Sequence, residues 1–133
     1  MRISRTQLDR IVQHARDDFP NECCGIVATN GGDAVKVFPA VNVHQSPTRF
    51  EIDGRDVIRI LREIEEQGWE LGSIYHSHTK TAAYPSQTDV NFAANWPGVI
   101  WLIVSLEDRE SPSVRVFEIS DGSIDEGRLE IVS

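Results

Sequence analysis

Apolar residues recur at Leu8, Ile11, Val12, Ala15 and Phe19, the three-to-four spacing of one helix face. Ser4 and Gln7 have the spacing of a capping box at the start of that stripe, and Ile3 with Leu8 that of a hydrophobic staple. Pro20 ends the segment. The pattern then changes period. Residues 23–28 form a short apolar run that reads as a buried strand, Gly31-Gly32-Asp33 is a turn signal, and residues 34–38 alternate as the hairpin partner. A second helix starts near Asp53, with Ile52 and Val57 as its staple. It carries Val57, Ile60, Leu61 and Ile64 inward and stops at Gly68. Residues 71–75 predict the next strand, which runs into His76-Ser77-His78. A short third helix begins at Ser86 and is stopped by Pro97. Residues 99–106 are almost continuously apolar, as a central strand requires, and residues 114–119 and 128–132 supply late strands around the turn Asp121-Gly122. Three helices among six or seven strands predict an α/β (α+β layered) domain, a mixed β-sheet flanked by helices.

Length and composition narrow this picture. With 133 residues, 40% of them hydrophobic, the chain predicts one domain over residues 1–133 with a core that needs no staples. No repeat or low-complexity segment interrupts it, and the loose stretches at 29–33, 79–85 and 107–113 are too short for interdomain linkers. The net charge of −8 counts against long-range attraction to nucleic acid or to anionic membrane surfaces. Cys23 and Cys24 are adjacent, a spacing that normal disulfide geometry does not accept. With no apolar stretch of signal-peptide or membrane-span length, the expected location is the cytoplasm.

The chemistry gathers around His76 and His78. Strand side chains alternate, so both rings point to one side, with Cα atoms roughly 6.5–7 Å apart. Two imidazoles at that distance can converge on one ion. Catalytic zinc takes three protein ligands and keeps a fourth position open. Asp89, in the first turn of the third helix, is the third candidate. Glu22, at the start of the first strand of the hairpin, can act as general base if that strand lies beside the one ending at His76. Ser86 has two readings that need not exclude one another: a helix N-cap, or a hydroxyl donating to a developing oxyanion. Taken singly, each of these residues has a plain structural explanation. Their conjunction around one strand-to-helix loop is what points to a metal site. His14, on the polar side of the first helix, and His44, in a polar loop, read as solvated or hydrogen-bonded residues. Of the two cysteines, one should be core and the other partly exposed near Glu22. Trp69, Trp96 and Trp101 read as packing residues.

The run His76-Ser77-His78, seven residues, Ser86, two residues, Asp89, with Glu22 upstream in Pro20-Asn21-Glu22-Cys23-Cys24-Gly25, resembles the signature of the JAMM or MPN-plus metallopeptidase family. Asn42, Phe50, Ile52 and Asp53 look like the family's stretch between the first hairpin and the second helix. The likeness extends from the first helix to about Leu106. Thr79 departs from the Pro that many members carry after the second His, which touches the loop's shape and not the ligand set. Ser46-Pro47-Thr48 and Ala83-Tyr84-Pro85-Ser86 are similar to the small bacterial Mec-type branch.

The resemblance implies an MPN/JAMM-like (cytidine-deaminase-like) fold. It also implies one Zn²⁺ per chain, with a bound water, held by His76, His78 and Asp89. Glu22 and Ser86 would be the catalytic residues. The implied partner is a ubiquitin-like sulfur-carrier protein with a C-terminal Gly-Gly tail, bound as an added strand and cut after that tail to release cysteine for cysteine biosynthesis. Two alternatives stand beside it: a broader deubiquitinase-like isopeptidase, and a non-catalytic MPN-type binding scaffold. A zinc deaminase is disfavoured because H-x-E with P-C-x-x-C is missing, and the helical H-E-x-x-H is missing too. In so short a chain the site favours a flexible tail over a linkage-specific folded pair. Arg55, Arg59 and Arg62, a solvated helix face by default, form the local basic patch that could matter for docking.

Overall fold

The structure is a computed structural model and describes residues 1–132. Strand β1 (Arg2–Ser4) runs directly into helix α1 (Arg5–Asp18). Ser4 Oγ accepts from the Gln7 amide, and the Ser4 amide donates to the Gln7 side chain, so two otherwise orphaned donors satisfy one another's residues as a capping box. Strands β2 (Cys24–Asn30) and β3 (Asp33–Ala40) make the hairpin. Helix α2 (Gly54–Gln67) is capped by Asp53, whose side chain accepts from the Arg55 amide, and closes at Gly68. Gly68 has φ +72°, a left-handed conformation that costs glycine little. Then follow β4 (Glu70–His78), α3 (Gln87–Ala93), β5 (Ile100–Ser105), β6 (Ser113–Ser120), β7 (Ser123–Glu126) and β8 (Glu130–Val132).

The strands form one mixed sheet in the order β7-β6-β5-β4-β2-β3-β1-β8. Strand β4 lies near the middle, antiparallel to β2 and parallel to β5. Two expectations are corrected here. The turn Asp121-Gly122 pairs β6 with β7, whereas residues around 130–132 leave for the other edge of the sheet and pair with β1. Local turn chemistry reports only the nearest partner, and the pairing of β8 is decided by chain 126 residues or more away in sequence. The third helix stops at Ala93, before Pro97, because i→i+3 bonds from Asn95 to Phe92 and from Trp96 to Ala93 tighten the chain first.

Alternation along the strands builds two cores. Ile26, Ile74, Trp101 and Ile103 face α2 and α3, with Ile60, Ile64 and Ala93 packed on them. Cys23, Val27, Tyr75, Leu102 and Val104 face α1, against Leu8, Ile11 and Ala15. Each fully buried side chain of this size stabilises the fold by about 1.5–3 kcal/mol. Covering both faces has one consequence that a half-exposed sheet would not. Cys23 and Cys24 point to opposite sides and both are fully buried, so the expected partly exposed cysteine is absent. Trp101 is core, and Trp69 and Trp96 pack at its margin. No helix among the described residues is long and apolar enough to cross a membrane.

Candidate active site

The pairing of β2 with β4 sets Cys24 opposite His76, which brings Glu22, two residues earlier, to the end of β4. His76 and His78 both project to the α2/α3 side, and α3 starts there after the 79–86 loop. Asp89 Oδ2 lies 3.1 Å from His76 Nε2 and 3.0 Å from His78 Nε2, and the two Nε2 atoms are 3.1 Å apart. All three residues are buried. The ligand atoms of a tetrahedral zinc site, at about 2.0–2.1 Å from the ion, lie about 3.3 Å from one another. The triangle is close to that spacing. Two imidazole nitrogens aimed at each other and at one carboxylate oxygen also form a set of lone pairs that a cation satisfies together.

The electrostatics agree with a cation site. Burial opposes ionisation of Asp89. The neighbouring His76, hydrogen bonds from both imidazoles and the Ser86 amide outweigh it and hold the carboxyl well below the usual carboxylate range. Burial lowers the pKa of His76, with Asp89 pulling the other way. For His78 burial also acts against the cation, but hydrogen bonds to Asp89 and to the Ala82 carbonyl win and raise it. Glu22 is only 5% exposed, and its carboxylate has no hydrogen-bond partner among the described residues. Burial, with Asp89 adding, pushes it up to about 8, while His78 opposes.

Ser86 is exposed, and its two readings meet different evidence. Its Oγ accepts from the Asp89 amide at 3.1 Å, and its own amide donates to Asp89 Oδ2 at 2.9 Å, a capping box with an aspartate in the third position. The cap is therefore made. The hydroxyl proton is not used by it and stays free to donate. Because Oδ2 of Asp89 takes the Ser86 amide as well as both imidazoles, helix capping and placement of the third candidate ligand are one interaction.

Beside Glu22 opens a cavity of about 460 Å³ whose wall includes His14, Asp17, Asp18, Asn21, Asn42 and Gln45. His14 is half-buried and hydrogen-bonded, with Nδ1 2.7 Å from the hydroxyl of buried Tyr75 and Nε2 3.3 Å from Asp18. The hydroxyl of Tyr75 lies over Gly25, where any Cβ would overlap its ring. His44 sits in a polar loop as expected, against Glu51 and Arg49. Two neighbours of the site received no role from the sequence: Phe50, stacked on His76 with ring centroids 4.4 Å apart, and buried Asn42. Their only sequence signal was their place in the family-like stretch, since an Asn and a Phe in a polar connection have no periodicity to mark them.

Comparisons with known proteins bear on this geometry. The family described as prokaryotic homologs of the JAB domain matches residues 4–119. The CysO-cysteine peptidase of Mycobacterium tuberculosis is 35% identical over 127 residues, covering 94% of this chain and 86% of that protein. A desampylase of Haloferax volcanii is 35% identical over 108 residues, covering 76% and 77%. Among solved structures, a protein from Desulfitobacterium hafniense superposes with a TM-score of 0.88 at 30% identity, covering 98% of this chain and 92% of that one. The chain belongs to the prokaryotic homologs of the JAB domain, with the mixed α/β fold of that family, and its enzyme class is that of the JAMM-type peptidases.

Proposed function

We propose that residues 1–133 act as one zinc peptidase domain that cuts after the C-terminal Gly-Gly of a ubiquitin-like sulfur carrier and releases cysteine, in a cytoplasmic route of cysteine synthesis. The observation that carries this reading is the 3.0–3.1 Å triangle of His76, His78 and Asp89 with the unpartnered carboxylate of Glu22 beside it. The likeness to the CysO-cysteine peptidase supports the substrate class.

His76, His78 and Asp89 would hold the ion, one per chain. Zinc there supplies a Lewis acid that polarises the scissile carbonyl and makes a water nucleophilic near neutral pH. Glu22 takes the proton of the attacking water and returns it to the leaving amine, so the cavity it lines is the leaving-group side. Ser86, with its hydroxyl proton unused by the cap, donates to the oxyanion as charge develops there.

One observation favours a second reading, an isopeptidase for ubiquitin-like conjugates. Asp17 and Asp18 on the leaving-group side suit a lysine side chain better than the carboxylate of a free amino acid, and the desampylase likeness points the same way. Incubation of the zinc-loaded protein with a carrier ending in Gly-Gly-Cys, and with the same carrier joined to a lysine ε-amine, decides between them by mass spectrometry. Loss of one cysteine by wild type, with Glu22→Gln slowed 10²–10⁴-fold at unchanged zinc content, is the expected result. Faster cleavage of the lysine conjugate than of the cysteine adduct would transfer the function to the second reading. Binding of the carrier with no cleavage of either would leave a scaffold.

A further inference from the structure

The connection between β3 and α2, residues 41–53, pairs its own ends by backbone bonds from Val43 to Glu51 and from Asp53 to Val41, and one buried side chain at its centre adds four more hydrogen bonds. Asn42 Nδ2 donates to the carbonyls of Glu22 and Arg49, both at 3.0 Å. Its Oδ1 accepts from the amides of His44 at 3.1 Å and Glu51 at 3.2 Å. Two carbonyls on one end and two amides on the other leave no ambiguity about which atom is nitrogen, and the amide's hydrogen-bonding capacity is full.

The partners of Asn42 are placed where they matter. Arg49 and Glu51 flank Phe50, so Asn42 holds the backbone on both sides of that ring. The Glu22 carbonyl belongs to the proposed base, and the Glu22 amide donates to Ser46 of the same connection at 2.8 Å. Both backbone groups of Glu22 therefore end on this loop. Phe50 lies flat on His76, with an interplanar angle of 19°. A metal-binding histidine ordinarily has its second ring nitrogen fixed by a hydrogen bond. His78 has one, Nδ1 to the Ala82 carbonyl at 2.9 Å. The Nδ1 of fully buried His76 has none, so its ring plane is held by the Phe50 face.

We propose that Asn42 is a positioning residue whose single amide sets the base Glu22 and the aromatic support of His76 in one register. The inference rests on the peptidase reading for the roles of Glu22 and His76.

Asn42→Asp keeps the size and both acceptor bonds and removes the two donations. The expected outcome is Co²⁺ affinity, measured against a chromophoric chelator, lowered about tenfold. With metal saturating, kcat on the carrier conjugate falls at least about tenfold and KM stays within about twofold. Phe50→Leu is expected to reproduce the affinity loss, and Phe50→Tyr to restore it. Asn42→Asp values of affinity and saturated kcat both within about twofold of wild type would overturn the proposal. A change in only one of them overturns the shared register. Wild-type protein supplies an answer that survives a misfolded variant. Amide exchange at Glu22, His44 and Glu51 should slow together, by one common factor, when Zn²⁺ is added, and independent exchange at Glu22 rejects the tie. If zinc-saturated wild type cleaves no conjugate, the peptidase reading fails, while the affinity and exchange measurements still decide on Asn42.

Discussion

The two loops that frame the site differ in how their side-chain ties are distributed. The 41–53 connection pairs its own ends, Val43 amide to Glu51 carbonyl and Asp53 amide to Val41 carbonyl, and gathers four side-chain hydrogen bonds on Asn42. The 79–86 loop is held at separate points: Thr79 Oγ1 donates to the Pro47 carbonyl, Ser105 Oγ to that of Thr81, His78 Nδ1 meets the Ala82 carbonyl, and the Ser86–Asp89 box closes the end. Each loop supports one histidine. The 79–86 loop gives His78 a hydrogen bond that sets its tautomer, whereas the loop centred on Asn42 gives His76 a ring face and leaves its Nδ1 unpaired. A network with one hub should fail as a unit, and a distributed one should fail by increments. The two histidines they support meet at Asp89, which contacts both.

The largest effect is therefore expected at that meeting point. Asp89→Ala removes the third donor and the acceptor for the Ser86 amide together. Its zinc affinity should fall more than about 10³-fold, since two imidazoles alone do not make a closed zinc site. Full metal content by atomic absorption after dialysis would mean that the ligand set is misassigned.

Next is Ser86→Gly. An N-cap glycine costs only a few tenths of a kcal/mol relative to serine, so the thermal midpoint should scarcely move. If the hydroxyl donates to the oxyanion, kcat should drop about 10²-fold at unchanged zinc content. Equal kcat would leave Ser86 as a cap and nothing more.

The base responds to pH in a direction that can be worked out. Glu22 stands at about 8 without metal, so at pH 7 it is mostly protonated. A cation at the triangle favours its carboxylate, and binding must then release that proton. Metal affinity should rise up to about tenfold per pH unit from this group as pH approaches 8, and level off above it. His78, whose pKa is also raised, adds to the slope at lower pH. Glu22→Gln should reduce the proton release measured by calorimetry at pH 7, in buffers of different ionisation enthalpy, by about one. An unchanged proton count would place the ionisation of Glu22 outside the metal equilibrium. Folding carries the matching sign. The raised pKa makes protonated Glu22 the form the metal-free fold prefers. Its contribution is full below about 4.5 and is lost as pH rises through about 8.

The sequence made the local devices legible. The Ser4–Gln7 box, the start of the second helix near Asp53, the Gly68 stop and the His76-Ser77-His78 strand end all depend on residues within a few positions of one another, and all stand in the structure as read. So does the Ser86 cap, to which the structure adds the reciprocal bond from the Ser86 amide to Asp89. What could not be read depends on distant chain. The burial of both cysteines needs α1 on one face and α2 with α3 on the other. The contact of His14 with Tyr75 spans 61 positions, and the return of β8 to β1 still more. Asn42 and Phe50 act through backbone groups and a flat ring contact, neither of which leaves a periodic trace.

The smallest effect should come from Ser105→Ala, and it tests the difference between the loops most directly. Ser105 Oγ donates to the Thr81 carbonyl at 2.5 Å and accepts from the Glu107 amide at 3.1 Å. Removing a typical hydrogen bond costs about 0.5–1.5 kcal/mol. Thr81 is exposed, so water can replace the lost donor at its carbonyl. The remaining ties at Thr79, Ala82 and Ser86 keep the loop on the site. The expected loss is about 1 kcal/mol of stability, by urea titration, with zinc affinity and kcat within about twofold of wild type. A tenfold fall in zinc affinity would show that the 79–86 loop, too, is held by a hub, with Ser105 as its Asn42.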